Sequence, residues 1–386
     1  MQNEQTTSKK KKGASKILGF AAYILVCALF GVALGILLDQ SGQSDLPFGQ
    51  YLVSLLINLL LMYLSIFLQF IIHEGGHLLF GLMSGYSFIL FRIGSLTLVK
   101  TADGLKFKRI SLAGTGGQCL MSPPEWNDGN FPYKLYNLGG FLMNLISAVI
   151  FFVVFLLDRH TAYLPFFSLC MAALGLAIGL MNGIPMRIGG VDNDGYNVLS
   201  LGKDKAARWA FWMQLRASAE LALGKGLADM PEEWFDMPEE GWQDNALTAS
   251  IPVFRENRFM ETQEFDKAKE LVDMLLDEPN QLAQLYKNML LCDRMYLELI
   301  GECDHAKLDS WNTKEHKQFR LAMKNYLTIM RTEYAWALLK EKDSAKAEKI
   351  LQAFEKRGPS HPNPGEVESE RRLILTAKEK AAQPEA

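Results

Sequence analysis

Charge is scarce in the first half of this 386-residue chain. Residues 1–200 hold only 13 of its 40 Lys and Arg and 10 of its 43 Asp and Glu. A soluble domain is about one-quarter charged throughout, so this half is not built for water on all sides. Neither half concentrates one sign of charge, which removes nucleic acid from the expected partners. Cysteine is also sparse: the five are Cys27, Cys119, Cys170, Cys292 and Cys303, an odd number with no C-x-x-C pair. A disulfide framework is not expected from that pattern. Cys292, Cys303 and His305 lack a fourth ligand at finger-like spacing, so a structural zinc site there is not expected. No Gly-Lys-Ser/Thr follows Gly114, Gly116 and Gly117, so that stretch reads as a turn and not as a phosphate cradle.

What the first half does contain is four uncharged apolar runs: Ile17 to Leu38, Tyr51 to Ile72, Leu138 to Leu157 and Ala162 to Met181. Each is long enough to cross a hydrocarbon core of about 30 Å as a helix rising about 1.5 Å per residue. Lys9, Lys10, Lys11, Lys12 and Lys16 precede the first run and keep the N-terminus in the cytoplasm. A cleaved signal peptide is the rival reading, but the run is long and no small-x-small cleavage site is evident. Counting spans from there, the loop with Asp39 and Asp45 is outside and the segment from about Tyr86 to Asn137 is inside. That segment carries Arg92, Lys100, Lys106, Lys108, Arg109 and Lys134 against three acids, as the positive-inside tendency requires. The third and fourth runs form a hairpin through Asp158, Arg159 and His160 outside, and everything after Met181 returns to the cytoplasm.

Directly after the second run stands His73-Glu74-Gly75-Gly76-His77, an HExxH pattern. Positions i and i+4 share a helix face, so His73 and His77 can bind one Zn²⁺ with Glu74 beside its water. The competing explanation is a polar helix end snorkelling into headgroups. Against it, the apolar run resumes at Leu78, Leu79 and Phe80, so the cluster is embedded, and ionisable groups at membrane depth usually mark function. Gly75 and Gly76 leave room either for close helix packing or for substrate backbone. A catalytic zinc needs a third protein ligand and an open position. Glu125 and His160 do not fit the topology. Asp192 and Asp194 remain, in the segment that leaves the fourth run on the same leaflet as His77.

These residues resemble the site-2 protease family of intramembrane zinc metalloproteases. The likeness rests on HEGGH at the end of a span, on Gly139-Gly140-Phe141-Leu142-Met143-Asn144 opening the next, and on Asn182-x-x-Pro185 followed by Asp194-Gly195. It covers roughly residues 50–200. It implies one Zn²⁺ per chain held by His73, His77 and Asp194, with Asp192 the alternative third ligand. The chain departs from the family in having Phe141 after Gly140 where Pro is common, and in a longer spacing between Asn182 and Asp194.

On this reading zinc makes hydroxide available near pH 7, and Glu74 acts as general base and then acid. Asn182 or Asn144 donates to the tetrahedral oxyanion, unless either amide serves a helix–helix hydrogen bond instead. A helical peptide bond must be unwound before attack. Phe88–Lys100 and Leu105–Leu112 read as a β-hairpin around Thr101-Ala102-Asp103-Gly104, which could pair with an unwound substrate or merely seal the site from lipid.

From about Gly202 the pattern is helical, with breaks around Asp229–Pro238 and at Pro279. Lys267–Leu275 and Lys346–Phe354 resemble each other and suggest tetratricopeptide-like hairpins that would bind a cytoplasmic protein partner, a plain helical bundle being the alternative. The expected architecture is an all-α multi-pass membrane protein with about four transmembrane helices and a small β-hairpin insertion, followed by a cytoplasmic helical domain. Its expected parts are a basic cytoplasmic tail (1–16), a membrane-embedded metalloprotease domain (17–201), a helical domain (202–357) and a partly disordered tail (358–386). The expected location is the cell membrane, with both termini cytoplasmic, and the expected substrate a membrane protein in the bilayer. The alternative function is a membrane-anchored scaffold with a degenerate metal site.

Overall fold

The computed structural model describes residues 31, 35, 46–101, 104–110, 116–129, 131–188, 191–238 and 240–383. The expected first span and its lysine cluster lie outside the described residues, apart from Gly31 and Gly35. The other three apolar runs are helices long and apolar enough to cross a membrane: α1 (Phe48–Met83), α2 (Tyr133–Leu157) and α3 (Leu164–Gly183). By internal contacts the chain divides into two units, and the division falls inside α1, after His73, and inside α2, after Gly139.

The first unit is the membrane bundle, from α1 up to His73 and from Gly140 to Met181. Its large apolar side chains point outward, Phe48, Leu56, Leu60 and Tyr63 being more than half exposed, as suits a lipid-facing surface. Its polar side chains point inward. Ser54, Asn58, Ser65, Gln69 and His73 lie on one face of α1 and are all buried. Gln69 Nε2 donates to Ser147 Oγ on α2 (2.9 Å) and to the Met171 carbonyl on α3 (2.8 Å), so one amide ties three helices together. Interhelical hydrogen bonds of this kind take the place of a hydrophobic drive, which lipid cannot supply.

The second unit comprises Glu74–Gly139 and everything from Asn182 onward. After α1 come four antiparallel strands, β1 (Ser87–Ile93), β2 (Leu96–Thr101), β3 (Gly104–Arg109) and β4 (Gly117–Ser122), in the order β3-β2-β1-β4. The expected hairpin is therefore half of a larger sheet. The stretch read as one strand, Phe88–Lys100, breaks into β1 and β2 at Gly94, whose φ of 57° makes the turn. The glycine-rich stretch read as a turn opens β4 at Gly117. Ile89, Leu90, Val99 and Leu120 of the sheet pack on Ala219 and Ala222 of helix α5 (Lys205–Ala222).

After a two-stranded ribbon of Arg187–Ile188 and Val191–Asp192, the rest of the unit is mostly helical. Helices α6 (Ile251–Glu261), α7 (Phe265–Asp277) and α8 (Gln284–Ile300) pack in succession. They are followed by α9 (His305–Trp311), α10 (Lys314–Ala322), α11 (Leu327–Ala335), a π-turn at Trp336–Lys340, and α12 (Ser344–Arg357). The two similar segments form α7 and α12. Within the expected tail, Pro364–Ala382 is a helix, α13, whose Val367, Leu373, Ile374 and Ala377 are buried. Pro364 sits at its first turn, where proline is favoured. α13 packs back on α5, α6, α8 and α11, closing the helices into a bundle, whereas a solenoid repeat touches only its neighbours.

Arg331 sits at the centre of this bundle, 1% exposed, with Asp293 Oδ1 at 2.5 Å and Glu370 Oε2 at 3.5 Å. Glu256 is fully buried beside them, and neither of its oxygens has a hydrogen-bond partner among the described residues. Burial outweighs the pull of Arg331, pushing the Asp293 carboxyl up to about 6 and that of Glu256 well above the usual carboxylate range.

Candidate metal centre

α1 runs unbroken through HEGGH, so its own backbone hydrogen bonds put His73 and His77 one turn apart on one face. Both imidazoles are buried, 7% and 9% exposed. What fixes each ring is an oxygen on its Nδ1.

His73 Nδ1 lies 2.7 Å from Asn144 Oδ1. The orientation of that amide follows from the bundle. Gln69 Nε2 donates to the Met171 carbonyl, which can only accept, so Gln69 Oε1 faces Asn144. Asn144 Nδ2 donates to that Oε1 at 2.7 Å and to the Gln69 carbonyl at 3.1 Å. Asn144 Oδ1 is thus the acceptor and His73 Nδ1 the donor. His77 is held by a shorter route: its Nδ1 donates to the Tyr136 carbonyl at 2.7 Å. Histidines that ligate metals usually donate the other ring nitrogen to such an oxygen.

The carboxylate comes from the segment after α3. Asn193 caps α4 (Asp194–Lys203), accepting from the Tyr196 and Met186 amides and donating to the Ile184 carbonyl. Gly195 makes the tight return feasible, since a Cβ there would stand 2.1 Å from the Gly183 carbonyl oxygen. Asp194, at the helix's first position, brings Oδ2 to 3.4 Å from His77 Nε2. Asp192 points elsewhere: its oxygens take Arg187 Nε at 2.5 Å and Nη2 at 3.1 Å. Two imidazole nitrogens and one carboxylate oxygen, from His73, His77 and Asp194, make a donor set that could hold one metal ion. The composition suits zinc. Cys292, Cys303 and His305 form no such group among the described residues.

Glycines line the imidazoles and Glu74. A Cβ on Gly140 would lie 2.4 Å from His73 Cε1, one on Gly139 would lie 2.5 Å from the Gly76 carbonyl oxygen, and one on Gly117 would lie 2.6 Å from Glu74 Oε1. Gly139 thus allows close approach to the α1 backbone at Gly76, while a Cβ on Gly75 would meet nothing within 4 Å. Gly117 thus sets the start of β4 against Glu74.

Two further residues bear on the site. Arg92, weighed in the sequence only as a loop charge, is fully buried on β1, donating to the Gly94 carbonyl at 2.8 Å. Burial lowers its proton affinity and the carboxylate of Glu74 raises it, so the two sense each other's charge. Asn182 is half-buried at the end of α3. Asn144 is wholly buried, with its amide hydrogens committed to Gln69.

No protein-family model, curated protein or solved structure matches this chain.

Proposed function

We propose that the chain is a membrane-embedded zinc endopeptidase of the site-2 protease kind, hydrolysing peptide bonds of membrane proteins, with both termini in the cytoplasm. The observation that carries this reading is the 3.4 Å approach of Asp194 Oδ2 to His77 Nε2, on a helix that presents His73 one turn earlier. Both Nδ1 atoms are held by oxygens, which supports a metal at Nε2 of each ring. When bound, zinc supplies Lewis acidity, polarising a peptide carbonyl and bringing a water's pKa to about 7.

The chain's own residues do the rest. Glu74 takes the proton from the attacking water and delivers it to the leaving nitrogen. Arg92, buried on β1 and electrostatically coupled to Glu74, balances the charge of that carboxylate before it takes the proton. Asn144 is assigned a positioning task in place of oxyanion donation, because its amide hydrogens are already spent on Gln69. Asn182 remains the side-chain amide for the oxyanion. An unwound substrate strand would pair with β4, the end strand of the sheet, whose first residue Gly117 lies against Glu74.

The test is Glu74→Gln in detergent-solubilised protein with a membrane-protein substrate. Zinc content should stay at that of the wild type while cleavage disappears. Undiminished cleavage in that variant would refute the enzyme and leave a membrane scaffold with a metal site.

A further inference from the structure

The helical bundle carries a groove of about 740 Å³ between α10, α11 and α12, within the size range of ligand pockets. Two helix faces of matching design form its sides. Lys317, Arg320, Leu321 and Lys324 recur at i, i+3, i+4 and i+7 along α10 and the turn after it, and Lys346, Lys349, Ile350 and Ala353 repeat that spacing on α12. Each side thus presents lysines beside aliphatic carbon. Met330 and Trp336 form the floor, and Leu321 stands 70% exposed at the rim.

The charges divide into fixed and available ones. Arg320 is saturated by Glu333 at 2.6 Å, Asn312 at 2.8 Å and His316 at 2.9 Å, so it braces the floor. Lys346 pairs with Glu341 at 2.7 Å. Both acids of the groove are therefore neutralised. Lys317, Lys324 and Lys349 are exposed and have no ion pair among the described residues. The floor also departs from regular helix: α11 passes into a π-turn at Trp336–Lys340, and such turns occur frequently at functional sites.

We infer that this groove binds an acidic amphipathic peptide segment of another protein, whose carboxylates face Lys317, Lys324 and Lys349 and whose apolar side chains lie on Leu321, Met330 and Ile350. The concave shape suits a peptide and not the flat surface of an anionic bilayer. The apolar floor gives a nucleotide's phosphates no backbone cradle. The inference does not depend on the metal site, and holds equally for an enzyme or a scaffold.

The experiment is fluorescence anisotropy with full-length protein in detergent and a labelled amphipathic peptide built of Glu and Leu. The wild type should bind it, more weakly as salt rises. The same peptide with Gln for Glu, or with Ala for Leu, should bind at least about tenfold more weakly. The triple variant K317E/K324E/K349E changes only exposed side chains; with an unchanged circular dichroism spectrum it should lose about tenfold or more in affinity. Equal binding of the Gln peptide, or by the triple variant, would overturn the inference. So would displacement of the Glu peptide by tripolyphosphate or by phosphatidylserine vesicles as effectively as by unlabelled peptide, since that would identify a general anion site.

Discussion

Replacing Gly140 with alanine probes the metal centre without touching a ligand. The new Cβ would stand 2.4 Å from His73 Cε1 and 2.6 Å from both ring nitrogens. Carbon atoms rest at about 3.5–4.0 Å, so the ring must retreat by about 1 Å. It cannot do so freely, because Nδ1 is fastened to Asn144 and through it to Gln69 and the Met171 carbonyl. A displacement of that size at a catalytic site costs about 10²-fold in rate, and disturbed support of a ligand about 10- to 100-fold in metal affinity. Gly75→Ala is the matched control: its Cβ meets nothing within 4 Å, and alanine gains about 1 kcal/mol of helix propensity. Chelator competition on the two purified variants reads the difference. Gly140→Ala should release zinc to a weaker chelator than the wild type does, and Gly75→Ala should match the wild type. Wild-type affinity in Gly140→Ala would refute the placement of His73 as a ligand.

Further expectations follow from the same geometry. Glu74→Gln should lower cleavage by about 10²- to 10⁴-fold, the usual contribution of a general acid–base, with zinc stoichiometry unchanged in elemental analysis. Asn144→Ala removes the oxygen that holds His73 Nδ1 and should weaken zinc binding by about 10- to 100-fold in the same chelator assay, and Gln69→Leu, which only loosens that amide, should weaken it less; no change in both would remove the relay from the account. Arg331→Met should lower the melting temperature of the helical bundle strongly, because it leaves three buried carboxyls without their cation, a change that typically costs about 3–5 kcal/mol. The carboxyls of Glu256 and Asp293 are raised on folding, the latter to about 6, so the stability they confer is present at acid pH and lost as pH rises through the folded values. Glu256→Gln, neutral at every pH, should therefore melt near the wild type at pH 5 and several degrees above it at pH 8, by roughly 2–4 °C per kcal/mol. A constant difference between those pH values would contradict the buried, protonated assignment.

Much of the membrane bundle was legible because hydropathy is a coarse signal. An uncharged run of about 20 residues has few other uses, and three such runs are helices of spanning length. Hydropathy hid the more informative pattern. Ser54, Asn58, Ser65, Gln69, His73 and His77 share one face of α1, and all are buried. That stripe is readable in the sequence at helical spacing, and it separates the lipid face from the bundle interior. The pair His73 and His77 stood out through their spacing, but the choice between Asp192 and Asp194 could not. It depends on Asn193 capping α4 and on Arg187 engaging Asp192, contacts that a two-residue shift in the chain would exchange. The sheet was half visible for a related reason. Gly94 ends β1 through a left-handed backbone that sequence patterning does not distinguish from a strand glycine, and β4 looked like a loop because Gly117 opens it. Arg92 gave no signal at all. A single arginine between apolar strand residues reads as solvent-facing until its burial is known.

The central claim is that His73, His77 and Asp194 hold one zinc ion, and X-ray absorption at the zinc edge of purified wild-type protein tests it most directly. The expected spectrum has one zinc per chain, two imidazole nitrogens at about 2.0–2.1 Å, oxygen in the remaining positions and no sulfur, with the carboxylate contribution lost in Asp194→Ala. Absence of stoichiometric zinc, a sulfur-containing shell, or an unchanged shell in Asp194→Ala would contradict it.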